Sequence, residues 1–308
     1  MSSHPPTGLP LHLLLPLLGG MVYVIAVMLL KRAADIGADV WRTARICNFA
    51  SAVAFAPLAL LGGTIPSWHF CWQPAVVAVL FMAGQIFTLL ALNAGDVSVA
   101  TPVLGVKIPL VALLTSALIG ERIGTGLWTA TLLSSAAIAL LNFSRSSSHH
   151  HVSATILLAA LAAASYALFD VLVQKWVPAW GAGRFLPVMM GFVAVYSFML
   201  RPIGIKRKAR GTTALASAFG WVAGGAACFA LQGLLIVSSI ALYGQATVAN
   251  VLYSSRGLWS VLAVWGIGHW FASREQHHGV RVLVWRFIGA ALLMSAILIV
   301  LLGARRNT

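Results

Sequence analysis

Apolar positions in this chain run in long blocks separated by short polar breaks. Ten blocks are of spanning length, about 20 residues each, the length a helix needs to cross a bilayer. They are Leu11–Leu30, Ala44–Leu61, Pro74–Asn93, Val97–Ile119, Gly126–Leu141, Ser153–Val173, Phe185–Leu200, Ala214–Ser238, Gln245–Trp270 and Val282–Leu302. The pattern predicts an all-α membrane protein of ten transmembrane helices. The connections are short and leave no room for a soluble domain. The first block is expected to remain as a helix and not to be a cleaved signal, because MSSHPP ahead of it has no Lys or Arg and its apolar run is too long. Gly220 and Gly224 in a GxxxG, followed by Gly225, predict close helix packing.

Composition supports a chain built for lipid. Of its 308 residues, 60% are hydrophobic and 8% charged, against about 25% charged in a soluble domain. A net charge of +14 would suggest nucleic acid in a soluble protein. Here eighteen of the twenty Lys and Arg lie at helix ends or in loops, so no nucleic-acid partner is expected and the charges set orientation. The expected partners are the lipid bilayer and a small-molecule substrate, and the expected setting is the plasma (inner) membrane. Loops after odd-numbered blocks carry thirteen of these cations and the opposite side five, which puts both termini outside by the positive-inside rule. Cys47, Cys71 and Cys228 form neither a CxxC nor a Cys/His cluster, so neither a disulfide framework nor a metal site is expected. No cofactor is implied either. The run His149–His151 reads as a solvated loop.

The blocks also repeat. Ser98-Val99-Ala100 aligns with Thr247-Val248-Ala249, and without a gap Lys107 then falls on Arg256 and Asp96 on Gln245. With small gaps Tyr23 matches Tyr166, and Gln85 matches Gln232. Five helices per half, an odd number, make the repeat inverted, so the expected domains are residues 11–142 and 153–302. Inverted repeats are a transporter architecture with a site near the midplane, and one chain suffices to build it, which allows a functional monomer.

Candidate chemistry centres on the two mid-span cations. Lys107 lies in VLGVKIPLVALL and Arg256 in the aligned block. Each costs about 2.5–3.5 kcal/mol in an isolated helix at the bilayer centre. Asp170 is the only acid well inside a block, and one acid cannot neutralise two cations. An anionic substrate is one reading of the excess charge; a structural ion pair and a coupling role for Asp170 are the others. Gln245, Tyr253, Arg256 and Ser260 recur at helical spacing, as do Asp96, Ala100, Val103 and Lys107. Pro102 and Pro109 bracket the lysine and each removes a helical hydrogen bond, which predicts a kinked fourth helix. Tyr23 and Tyr166 are expected to line the cavity, with Gln85 and Gln232 either reaching a ligand or bridging helices. Asn93 and Asp96 read as a turn around Gly95, and Glu121-Arg122 as a surface stop. All nine histidines fall in loops or near helix ends, and no HExxH or serine–histidine arrangement occurs, so an enzyme is not expected.

The segments NAGDVSVATPVLGVKIPLVALLTSALIGERI and ALYGQATVANVLYSSRGLWSVLAVWGIGHWF carry a resemblance. The chain resembles the drug/metabolite transporter superfamily, in particular EamA-type members with two fused five-helix halves, over about Leu11 to Leu302. The second half departs from the pattern, with GHW at Gly268–Trp270 where GE is expected, followed by ASREQHHGVRV. The resemblance implies alternating-access transport of small metabolites. In sugar-phosphate and nucleotide-sugar carriers of that superfamily, basic residues at places comparable to Lys107 and Arg256 hold phosphate. It also admits exporters of amino acids or neutral metabolites, and a lipid-linked sugar flippase is a neighbouring alternative. Family members with ten helices would place both termini inside, against the charge count.

Overall fold

The computed structural model describes residues 11–94, 97–142, 152–200, 212–267 and 280–306. It is all helix, with no strand among the described residues. The helices are α1 (Leu11–Ile36), α2 (Val40–Phe55, prolonged by a 3-10 turn Ala56–Leu61), α3 (Trp72–Ala94), α4 (Val97–Gly105), α5 (Lys107–Ile119), α6 (Thr125–Leu141), α7 (Val152–Trp180), α8 (Ala182–Ser197), α9 (Thr212–Tyr243), α10 (Ala246–Tyr253), α11 (Arg256–Ile267) and α12 (Val280–Arg306). Seven helical segments are long and apolar enough to cross a membrane, while α6 and α8 are shorter apolar helices. The protein is a multi-pass integral membrane protein.

Local chemistry sets several helix ends. Asp39 caps α2, its side chain accepting from the Arg42 N–H at 2.7 Å, which satisfies one of the unpaired donors of the first turn. The chain leaves α5 through Gly120 at φ +81°, a left-handed conformation that glycine adopts without penalty. Large apolar side chains such as Leu60, Trp68, Met199 and Phe287 face outward, as lipid contact requires. The interior is filled by Trp41, Phe55, Trp180, Phe185, Leu186 and Met189.

The fourth and ninth apolar blocks are each broken near their middle. The fourth separates into α4 and α5 at Val106. Pro109 has no N–H to give the Gly105 carbonyl four residues earlier, and the break falls at that missing bond. The ninth separates into α10 and α11 at Ser254-Ser255, where the bonds tighten to three-residue spacing, Ser255 N to Leu252 O at 3.1 Å and Gly257 N to Ser254 O at 2.9 Å. Lys107 and Arg256 are each the first residue after a break.

Helices of the first half pack on helices of the second. α1 lies along α9, and α3 along α7; α2 meets α8, and α6 meets α12. α5 packs on α10, whereas α4 and α11 have no comparable contact among the described residues. The close approach is made by Gly225, just after the GxxxG, where a Cβ would meet Leu30 of α1 at 2.5 Å; at Gly224 a Cβ would be in ordinary contact with Leu29 at 3.6 Å. Gly220 faces open space.

Asn93 closes its own helix end, donating to the Leu89 carbonyl at 2.6 Å. Gly95, the Asp96 side chain, the histidine run and the segment from Gly268 to Gly279 lie outside the described residues. The three cysteines are free thiols.

Candidate functional site

The two breaks bring their cations into one neighbourhood, and the cations are held in different ways. Lys107 Nζ lies 2.8 Å from Asp170 Oδ2 on α7. The same oxygen accepts from Asn250 Nδ2 on α10 at 2.7 Å. Asp170 is 3% exposed and the Lys107 side chain 20%, so the acid is sealed while the amine keeps one accessible side. The Tyr166 ring stands beside that amine, its centroid 5.6 Å from Nζ.

Arg256 has no carboxylate within ion-pair distance among the described residues. Its guanidinium lies against two aromatic faces, 4.7 Å from the Tyr23 centroid and 4.8 Å from that of Tyr253. The ring quadrupole attracts a cation but does not neutralise it. The two rings meet edge to face at 5.9 Å, and Tyr253 is fixed by donating its hydroxyl to Gln232 Oε1 at 2.6 Å. Asn250, bonded to the Asp170 that holds Lys107, and Tyr253, whose ring faces Arg256, are three residues apart on α10, neighbours on one helix face, which ties both cations into one cluster. Arg256, Tyr23 and Tyr166 are all half-buried.

Two glycines make the cluster possible. A Cβ on Gly20 of α1 would sit 2.9 Å from Ser255 Oγ and 3.2 Å from the Arg256 nitrogen, so α1 touches the backbone of the second break. A Cβ on Gly84 of α3 would sit 2.8 Å from ring carbons of Tyr166. The aligned tyrosines are used reciprocally: Tyr23 of the first half covers the cation of the second, and Tyr166 of the second half stands by the cation of the first. Ser255 Oγ, in a residue 3% exposed, has no hydrogen-bond partner among the described residues.

One turn beyond Asp170, α7 makes a second junction. Gln174 Nε2 donates to Glu121 Oε2 at 2.9 Å, and its Oε1 accepts from the Ala246 N–H at 2.9 Å, capping α10. Lys175 Nζ donates to the Leu118 carbonyl at 3.0 Å. Glu121 therefore bonds to α7 as well as closing the fourth block.

Sequence reasoning placed Lys107, Arg256, Tyr23, Tyr166, Tyr253, Gln232 and Asp170 together, and the structure clusters them. Gln85 lies elsewhere. It exchanges two hydrogen bonds with Asn48, at 2.9 and 3.2 Å, and Asn48 also donates to Ser197 Oγ at 2.8 Å; this network joins α2, α3 and α8. Ser260 is exposed and donates to its own helix, to the Gly257 carbonyl at 2.8 Å, and has no hydrogen bond to the cluster among the described residues. Asn250, Gln174 and Asn48 were missed. The signal for Asn48 and Asn250 is an amide inside an apolar block, which membrane helices rarely carry without a partner; Gln174 lies one residue past the end of its block.

No family model matches the chain, and no curated protein matches it. Solved structures do match, 29 chains in all, so the arrangement recurs. One, described as "Crystal structure of protein", is 16% identical, with a TM-score of 0.56, and the match covers 95% of this chain and 98% of that one. At that identity the likeness shows the fold alone.

Proposed function

We propose that this protein is a secondary transporter that moves small anionic metabolites, phosphorylated or carboxylated, by alternating access. Arg256 is the principal anion ligand, with Tyr23, Tyr166 and Tyr253 as walls of the site and Gln232 fixing one of them. The observation that carries this reading is a mid-block arginine cradled by two tyrosine faces, with no carboxylate beside it among the described residues. A fixed cation in a water-poor setting favours an anionic partner. The reading of Lys107 as a second, equal ligand gives way to one in which Asp170 holds it.

Three features support transport. The bundle of apolar helices is compatible with a membrane carrier. The reciprocal tyrosines and the pairing of first-half with second-half helices are what two inverted five-helix repeats require. The contact of α5 with α10, unmatched between α4 and α11, fits a carrier closed on one side. On this reading the chain is a drug/metabolite transporter of EamA type, as the sequence resemblance suggests.

The test is ligand-dependent thermal stability of the purified protein across a metabolite panel, beside Arg256→Gln, followed by uptake into liposomes. A ligand that binds only the folded state raises its stability. Anions should raise the midpoint of the wild type and leave Arg256→Gln unmoved. If no anion acts, or both proteins respond alike, the reading is wrong.

A further inference from the structure

The proposed site has a charge balance that can be read residue by residue. Lys107 and Asp170 form a close pair, 2.8 Å apart, and contribute no net charge. Asn250 adds a neutral donor to the same carboxylate oxygen. Tyr23, Tyr166, Tyr253 and Gln232 are neutral as ordinary side chains. Glu121 is exposed at the other junction on α7, where it bonds to Gln174, and stands outside the cluster. Among the described residues, what is left is the single charge of Arg256.

We infer that the site is matched to one negative charge, so that its substrate is a monoanion, such as a small monocarboxylate, and not a dianion. This rests on the reading of Arg256 as the anion ligand and narrows it. A monoanion against Arg256 leaves the assembly neutral. A dianion leaves an uncompensated negative charge among apolar helices, where unpaired charge is costly. Lys107 does not offset it, because drawing the amine away strands Asp170, a 3% exposed carboxylate, with only Asn250 to hold it. The ion pair thus sets specificity by withholding one of two cations. Discrimination comes as much from the unpaired group that the wrong ligand leaves behind as from contacts to the right one.

The residues predict how the preference moves when the balance is changed. Asp170→Asn retains a side chain of the same shape and frees Lys107, raising the site by one positive charge. Lys107→Gln lowers it by one. The double variant Lys107→Gln/Asp170→Asn restores the original balance without an ion pair, and serves if either single variant folds poorly.

The experiment measures stabilisation of the purified wild type and these variants at one pH near neutrality and constant ionic strength. The probes are acetate, methanesulfonate and benzoate against malonate, sulfate and succinate. The wild type should respond to the monoanions at concentrations at least about tenfold lower than to the dianions, a factor of ten in affinity being one clear step in binding free energy. Asp170→Asn should reverse the order, Lys107→Gln should lose the response to all six, and the double variant should return the preference to monoanions. If dianions stabilise the wild type as well as monoanions do, the charge match is overturned while the anion site stands. If Asp170→Asn and the double variant share the wild-type order, the ion pair does not set specificity and the inference also fails. If none of the six acts on the wild type, the anion site itself is refuted, and this inference with it.

Discussion

Arg256 and Lys107 carry the same formal charge but face different costs. The arginine is large, flat and held against two rings, a geometry that a lysine does not reproduce. Arg256→Lys should therefore weaken anion-induced stabilisation by at least about tenfold while the protein still folds; ligand titration followed by thermal unfolding checks this. Lys107 and Asp170 belong to stability as well as to charge balance. Breaking a fully buried ion pair costs about 3–5 kcal/mol. Lys107 keeps 20% of its side chain accessible, so Asp170→Asn should cost less, about 2–3 kcal/mol, and Lys107→Gln should recover most of it in a double-mutant cycle. Asn48 provides the contrast. It is fully buried and bonded to both Gln85 and Ser197, and to neither cation. Asn48→Ala should lower stability by about 1–3 kcal/mol without changing which anions bind, as the same titration would show.

Helix breaks decide what the side chains can do together. Pro109 removes the bond to Gly105, and Lys107 emerges at the break. Pro109→Ala restores that donor and should straighten α4 into α5, giving a protein of equal or greater thermal stability whose uptake into liposomes is markedly reduced. Gly84→Ala places a Cβ 2.8 Å from the Tyr166 ring. The ring must shift, at a cost of about 1–3 kcal/mol, readable in the unfolding midpoint. At this scale the sequence was legible where chemistry marks the break and illegible where it does not. Two prolines mark a kink in the sequence where the first break falls. The second occurs at Ser254-Ser255, which carry no such mark, so a continuous helical face was read from Gln245 to Ser260. Helical phase does not carry across a break: Tyr253 and Arg256 still meet, while Ser260 donates its hydroxyl to its own helix. The apolar blocks themselves were legible because a membrane demands length and apolarity of each segment. Which helix lies beside which was not, because the outward faces are as apolar as the inward ones. Gln85 and Gln232 illustrate the point: they are aligned in sequence, yet only Gln232 reaches the tyrosines.

Across the whole molecule, α7 acts as a spine. Through Asp170 and Gln174 it holds both α5, with the residue that follows Gly120, and α10. Gln174→Leu leaves the Glu121 carboxylate and the Ala246 N–H without these partners. Amide hydrogen exchange should rise across residues 246–253 while α1 and α9, packed along each other, stay protected; uniform protection would show that α7 does not hold the two together.

The reciprocal pairing also has a consequence for how the protein is made. Lys107 is answered by Asp170, and the ring beside it belongs to Tyr166; both are synthesised later than the lysine. Synthesis proceeds from the N-terminus, so the first half enters the membrane as an unfinished product. Its central amine is unanswered for a time, at about 2.5–3.5 kcal/mol, until α7 arrives. A ribosome that stops before α7 leaves behind a half-molecule whose central amine lacks the carboxylate that pairs with it in the whole protein.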